Sequence, residues 1–139
     1  MAICTYREQV KTRGDAEVLD ITSLATKALH KSGLKNGVLN VFVPGSTAAV
    51  TTIEFESGVI RDLRAAIKRL VPESIHYDHD QRWGDGNGYS HVRAALMKPG
   101  LSIPFVDASL LLGTWQQLVL VDFDNRPRTR EIIFQVQGE

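Results

Sequence analysis

Residues 101–137 contain four apolar segments that we interpret as β-strands, and no helical segment separates them. Apolar and polar side chains alternate in the last two, as is typical of half-buried strands. Consecutive strands of this kind lack the regular β–α–β order of a parallel α/β sheet and predict the α+β class. The predicted strands are 101–107, 109–113, 115–123 and 130–137, with a turn at 124–127 between the last two.

The first part of the chain supplies further strands. The segment 37–43 is mostly apolar on both faces, which predicts a central strand of a sheet. The first strand alternates imperfectly and is expected at an edge. The predicted strands of this part are 3–12, 16–21, 37–43 and 48–55.

Two main helices and one short helix are predicted. The first helix is expected to start at a cap provided by Thr22 or Ser23 and to stop at Gly33. The second has apolar residues at helical spacing and ends before Pro72. The short helix is predicted at 90–98.

Length and charge limit the class of protein. A chain of 139 residues fits one domain, which we expect to span residues 1–139. Sixteen basic and sixteen acidic side chains give no net charge, which argues against a nucleic-acid-binding protein. The single cysteine, Cys4, excludes an intrachain disulfide. No signal peptide and no apolar run long enough to cross a bilayer are recognised, so we expect no membrane partner and a cytoplasmic location.

The segment HYDHDQRWGDGNGYSH, residues 76–91, holds three of the four histidines together with three aspartates. We interpret it as a long loop, because it contains glycines and has no sustained periodicity. Histidines with a carboxylate suit Zn²⁺, whereas Asp and Asn oxygens with water suit Mg²⁺. Because the spacing matches no established zinc signature, a polar surface loop remains an equal alternative.

Three other places have candidate functional residues. The sequence GST at 45–47 can offer backbone N–H and hydroxyl donors to a phosphate, although an ordinary turn explains it too. Glu54 interrupts an apolar segment, as either a working carboxylate or an edge residue. Arg130 can clamp an anion, whereas a solvated hairpin better explains Arg126 and Arg128.

The order of several short motifs resembles the YjbQ-like family, small proteins described as secondary thiamine-phosphate synthases. The resemblance extends from about Val38 to the last residue. The motifs are TTIE at 51–54, the aspartate at 62, YDHD at 77–80, NGYSH at 87–91, GTWQQ at 113–117, PRTR at 127–130 and the terminal QVQGE.

The resemblance implies an α+β fold with a β-sandwich-like core of mixed or antiparallel sheets, assembled as a homotrimer. It also implies an activity that joins a hydroxymethylpyrimidine diphosphate to a thiazole phosphate and releases pyrophosphate. Many members have a histidine where this chain has Gly45, so a metal ligand of the family is absent here if that histidine serves as one.

The needs of this reaction suggest roles for individual residues. His91, Glu54 and Asn87 are the candidate catalytic residues. The candidate ligands of a divalent cation, Mg²⁺ or Zn²⁺, are His79, His91 and Asp80. Those for a small phosphorylated substrate are Ser46, Thr47, Trp115, Gln116 and Arg130.

The same residues would serve two other functions, a metal-dependent hydrolase or a trimeric small-molecule binder without enzymatic activity. In each case we expect His79 and His91 to point into one pocket, and His76 to be structural. The physiological substrate, the metal and the contribution of neighbouring subunits do not follow from the sequence.

Overall fold

The structure, a computed structural model, describes all residues from Met1 to Glu139 and contains two antiparallel sheets. The larger sheet has the strand order β1-β8-β3-β5-β6 and the smaller one the order β2-β7-β4. The strands are β1 (Ala2–Thr12), β2 (Glu17–Asp20), β3 (Gly37–Phe42), β4 (Ala48–Ile53), β5 (Gly100–Val106), β6 (Ser109–Leu110), β7 (Gln117–Asp122) and β8 (Arg128–Gly138).

The main core lies between the two sheets. Alternate residues of β7 and β8, such as Leu118, Leu120 and Phe134, belong to one cluster of 16 buried residues. Helix α1 (Thr22–Ser32) adds apolar residues to the same cluster and closes one side of it. The β-sandwich-like core expected from the family resemblance is therefore found, and the α+β class is confirmed.

A second, smaller core lies on the other face of the three-stranded sheet. Val119 and Val121 of β7 contact this cluster, which also contains Ile67 of helix α2 (Ser57–Leu70) and Ala94 of helix α4 (Gly88–Met97). Because both faces of β7 are covered, every residue from Leu118 to Asp122 is buried.

The helix ends are partly as predicted. Gly33 ends α1 in the left-handed conformation, with φ of 72°. The expected side-chain cap at Thr22 or Ser23 is wrong, because Ile21 is the N-cap and Thr22 is already helical. The Thr22 hydroxyl instead accepts a hydrogen bond from the Leu118 amide at 2.9 Å and donates to Asp20. It therefore ties α1 to β7 instead of capping the helix.

The long loop predicted at 76–91 is wrong, because most of this segment is helical. It contains helix α3 (Asp78–Trp83) and the first turn of α4, which starts at Gly88. No residue of α3 is buried, so the helix leaves no apolar stripe in the sequence. A Cβ at Gly88 would lie 2.7 Å from the Tyr77 Cβ, so this glycine permits close packing.

Several strand boundaries also differ from the prediction. β7 begins at Gln117, so Trp115 lies in a turn before the strand, and β6 has only two residues. The predicted central strand at 37–43 is confirmed, since β3 lies between β8 and β5. β1 is an edge strand, as expected. None of the helices is long and apolar enough to cross a membrane.

Candidate functional site

A cavity of about 370 Å³ at one end of the sandwich brings together most of the candidate residues. Helices α3 and α4 form one wall, and the start of β8 with the segment 45–47 forms the other. Two larger surface cavities, of about 480 and 540 Å³, contain no histidine. The lining residues are Gly45, Ser46, Thr47, His79, Trp83, Asp85, Asn87, His91, Arg128 and Arg130.

Asp80 and Arg93 position the helical wall. The Asp80 Oδ1 accepts a hydrogen bond from the Gly88 amide at 2.8 Å, which joins α3 to the start of α4. Arg93 is completely buried, and its Nε and Nη2 donate to the Val71 carbonyl at 3.1 and 2.9 Å. These contacts hold α4, which carries His91, against the end of α2.

His79 and His91 converge as expected, although they come from two different helices. Their ring centroids are 4.3 Å apart and the ring planes are tilted by 41°. Burial and the proximity of His79 lower the pKa of His91 below its ordinary value, so this imidazole is neutral near pH 7. His76 lies outside the cavity and is exposed, and its Nε2 is 2.9 Å from Asp78.

His79, Asp80 and Asp85 form a cluster with the donor atoms that a divalent cation requires. Their ligand atoms all lie within 4.8 Å of one another. The Nδ1 of His79 is buried without a hydrogen-bond partner, 3.5 Å from Asp80 Oδ1 and 3.6 Å from Asp85 Oδ1. One imidazole nitrogen and two carboxylates suit Zn²⁺ and similar ions. The cluster includes Asp85, which was not in the predicted ligand set, in place of His91.

The opposite wall is built on a buried ion pair between Asp122 and Arg130. Arg130 Nε donates to Asp122 Oδ2 at 2.7 Å, and Nη2 donates to Asp122 Oδ1 at 2.9 Å. Arg130 Nη2 also donates to the Thr47 hydroxyl at 2.6 Å, and Thr12 donates to Asp122 at 2.5 Å. The guanidinium therefore has a fixed orientation.

Asp124 repeats this arrangement next to the first pair. It is completely buried and accepts hydrogen bonds from the Arg128 Nε at 2.8 Å and from the Thr47 hydroxyl at 3.0 Å. The Asn87 amide lies between Asp124, 3.4 Å away, and Asp85, to which its nitrogen donates at 3.1 Å in the alternative amide orientation. Asn87 therefore lies between the arginine wall and the carboxylate cluster, and its amide nitrogen donates to Asp124 in one orientation or to Asp85 in the other.

Both buried aspartates remain ionised. Burial alone would raise the pKa of Asp122, but hydrogen bonds from Arg130 and Thr12 outweigh burial and lower it. The pKa of Asp124 is lowered in the same way, because the hydrogen bonds from Asn125 and Thr47 outweigh burial. The two arginines consequently keep charged partners at neutral pH.

Three predicted site residues lie at the other end of the β4–β7 ladder. Ala48, next to Thr47, pairs with Asp122, whereas Ile53, next to Glu54, pairs with Gln117. Because a strand advances about 3.3 Å per residue, Glu54 is on the order of 20 Å from the cavity. Trp115 and Gln116 precede Gln117 and lie at this distant end, where Trp115 is 74% exposed. Within one chain the structure does not bring these three residues into the cavity.

Asp122, Asp124 and Trp83 were not predicted as site residues, and Arg128 was predicted to be solvated. A signal for the buried pair was present. Asp122 has the same strand parity as Leu118 and Leu120, which face the main core. Arg130 likewise has the parity of Ile132 and Phe134, so strand alternation could have placed both charged side chains on the inward faces, although it does not show that they pair.

Comparisons with known proteins agree on one family. The sequence model of the UPF0047 protein YjbQ-like family matches residues 7–139. A UPF0047 protein of Methanothermobacter thermautotrophicus is 35% identical over 139 residues, which is 100% of this chain and 95% of that protein. A UPF0047 protein of Mycobacterium tuberculosis is 39% identical over 134 residues, or 89% of this chain and 99% of that protein.

Solved structures show the same fold. A protein of unknown function from Sulfolobus solfataricus superimposes with a TM-score of 0.89 at 30% identity, covering 99% of this chain and 100% of that one. A hypothetical protein from Aeropyrum pernix gives a TM-score of 0.89 at 32% identity, covering 97% of this chain and 98% of that one.

Proposed function

The chain belongs to the YjbQ-like UPF0047 family, and from this premise and its cavity we propose that it is an enzyme acting on a small phosphorylated molecule with a divalent cation. One observation carries the proposal. A single cavity is lined by His79 and Asp85, which form a cluster with Asp80, and by two arginines that buried aspartates hold in place.

The charges of the site support a cation and an anion together. Asp80, Asp85, Asp122 and Asp124 carry four negative charges, and Arg128 and Arg130 carry two positive ones, while His91 is neutral. Without a cation, the resulting negative charge would oppose a phosphate. A divalent ion held by His79, Asp80 and Asp85 would cancel this charge and help to neutralise a departing diphosphate.

The specific reaction that we propose is that of a thiamine-phosphate synthase. The bond between the methylene carbon of a hydroxymethylpyrimidine and its diphosphate oxygen breaks, and the thiazole nitrogen forms a bond to that carbon. The electron pair of the broken bond leaves with pyrophosphate. Arg130, Ser46 and Thr47 would bind the diphosphate, and Arg128 would add a further donor.

The pyrimidine requires an aromatic surface, and Trp83 offers one. Trp83 lines the cavity and is 65% exposed, whereas Trp115 lies at the distant end of the ladder. Glu54, Trp115 and Gln116 could act only from a neighbouring subunit, and we propose a homotrimer as the assembly in which to test this. The absence of net charge leaves no overall repulsion between copies.

A metal-dependent hydrolase is the second candidate, and the environment of His91 favours it. A neutral imidazole next to a cation-binding cluster can accept a proton from a water molecule. This step needs no second substrate. The two candidates therefore differ in whether a thiazole phosphate must be present for pyrophosphate to be released.

The deciding experiment measures thiamine phosphate and pyrophosphate from the two phosphorylated precursors with Mg²⁺ or Zn²⁺. Wild type is compared with identically purified His91→Ala. Thiamine phosphate made by wild type and lost in the variant supports the synthase. Pyrophosphate or phosphate released without the thiazole substrate supports the hydrolase. Equal traces in both proteins contradict both enzymes and leave a small-molecule binder.

A further inference from the structure

Arg130 leaves one of its three guanidinium nitrogens without a protein partner. Its Nε and Nη2 are occupied by Asp122 and Thr47, whereas Nη1 makes no hydrogen bond. Only 8% of the residue is exposed. Nη1 is nevertheless accessible. The unpartnered side-chain nitrogens that are sealed from solvent belong to Arg64, His79 and Arg93, and Arg130 Nη1 is not one of them. The buried guanidinium therefore presents a single end to the cavity that it lines.

Gly45 determines whether a ligand can reach this end. A Cβ at position 45 would lie 3.1 Å from Arg130 Nη1, which is closer than an ordinary contact. The φ angle of Gly45 is 149°, a conformation that residues with a side chain rarely adopt. A side chain at position 45 would therefore bring its first carbon atom into tight contact with the free nitrogen.

The backbone beside Gly45 adds further donors. The amides of Gly45, Ser46 and Thr47 donate to no backbone carbonyl and to no side chain. The Ser46 side chain is exposed at the cavity, and Arg128 lines the same wall with its Nη1 unpaired. Several unused donors therefore surround the space that a side chain at position 45 would fill.

We infer that Gly45 determines specificity by opening a subsite for a terminal phosphoryl group at the free end of the Arg130 guanidinium. The phosphoryl oxygens accept hydrogen bonds from Arg130 Nη1 and from the adjacent backbone amides. The inference rests on the proposed function, because it assumes a phosphorylated ligand in this cavity. A terminal phosphoryl group has three free oxygens and can use more of these donors than a carboxylate, which has two. The subsite therefore favours a phosphate monoester or diphosphate end over a carboxylic acid.

The test is the binding of pyrophosphate and of acetate by calorimetry, in the presence of Mg²⁺, to wild type and to Gly45→Ala. We expect pyrophosphate to bind wild type well above acetate, and to bind Gly45→Ala about tenfold more weakly or worse, because a charge-assisted hydrogen bond is lost. The matched control is Gly33→Ala. It places a side chain at a positive φ of 72° where nothing lies within 4 Å, and Gly33 does not line the cavity.

A second measurement needs no variant and keeps the inference testable if Gly45→Ala does not fold. Titration of ¹⁵N-labelled wild type with pyrophosphate and Mg²⁺ should shift the amide signals of Ser46 and Thr47 and the guanidinium signal of Arg130. Saturable binding without these shifts, or equal affinity in wild type and Gly45→Ala, overturns the subsite and leaves the proposed function standing. Failure of wild type to bind pyrophosphate with either Mg²⁺ or Zn²⁺ overturns both.

Discussion

The ring centroids of His79 and His91 lie 4.3 Å apart, although His79 belongs to α3 and His91 to α4. The hydrogen bond from the Gly88 amide to Asp80 and the packing of Gly88 on Tyr77 join the two helices. The imidazoles are therefore placed by helix packing and not by a flexible loop, so the geometry of the site is preformed.

His91→Ala should lower turnover by about 10²–10⁴-fold, the usual contribution of a positioned acid or base. The fold should persist, because the His91 side chain is half-buried and belongs to neither core cluster. Steady-state rates and thermal unfolding measure the two effects. His76→Ala is the matched control, since His76 is exposed and pairs only with Asp78. Full activity in His91→Ala would remove this residue from the site.

Asp85→Asn should weaken the binding of a divalent cation, because it removes one of the two carboxylates next to His79. Calorimetric titration with Zn²⁺ and with Mg²⁺ measures the effect. A cation at a hundred times its dissociation constant should also stabilise the wild type by about 2.7 kcal/mol. Asp78→Asn, a change at an almost fully exposed carboxylate, should bind the cation like wild type. Identical titrations of all three proteins would contradict the proposed ligands.

Asp122→Ala should lower the free energy of unfolding by about 3–5 kcal/mol, because it leaves the Arg130 guanidinium buried without its partner. Denaturant unfolding measures the change. Asp62→Ala is the control, since Asp62 is exposed and makes no ion pair, and its effect should stay within about 0.5 kcal/mol. A similar, small effect of both substitutions would show that the ion pair does not hold the arginine wall.

The free energy of unfolding should fall as the solution is acidified through the range of the two buried aspartates. Their folded-state pKa values are lowered, so the unfolded chain binds more protons, and stability rises with pH. The contribution is complete above the ordinary aspartate pKa of about 4 and is lost below it, as the pH falls through the lowered folded-state values. Asp122→Asn lacks the contribution of the Asp122 carboxylate. The difference in the free energy of unfolding between wild type and this variant should therefore become smaller toward low pH. A constant difference from pH 7 to pH 2 would contradict this linkage.

Trp83→Ala should weaken the binding of the pyrimidine diphosphate by roughly tenfold, the usual effect of losing one aromatic stacking partner. Trp115→Ala is the matched comparison, because both tryptophans are mostly exposed but only Trp83 lines the cavity. Calorimetry separates two cases when it is run at protein concentrations at which the oligomeric mass of the protein has been measured. An effect of Trp115→Ala seen only in a trimer would place Trp115 in the site of a neighbouring subunit, and no effect of Trp83→Ala would contradict the assigned stacking surface.

Local patterns were enough to predict most of the fold. The apolar alternation of β7 and β8, the stripe of α2 and the stop at Gly33 depend on neighbours in sequence, and each element is found in the structure. Helix α3 was missed because it buries no residue and therefore carries no periodic signal. The cap at Thr22 was wrong because its hydroxyl bonds to Leu118, a partner that lies distant in the sequence.

The residues of the site likewise divide into those that the sequence could identify and those that only the tertiary structure reveals. Residue types together with the family resemblance identified His79, His91, Asn87, Ser46, Thr47 and Arg130 as candidates, and all six line one cavity. Only the tertiary structure decided that Asp122 and Asp124 hold the arginines, that Asp85 joins His79, and that Trp115 lies at the far end of the ladder. The reason is physical. Periodicity and chemistry are properties of local sequence, whereas the pairing of two sheets brings together side chains whose separation along the chain carries no information about their distance in space.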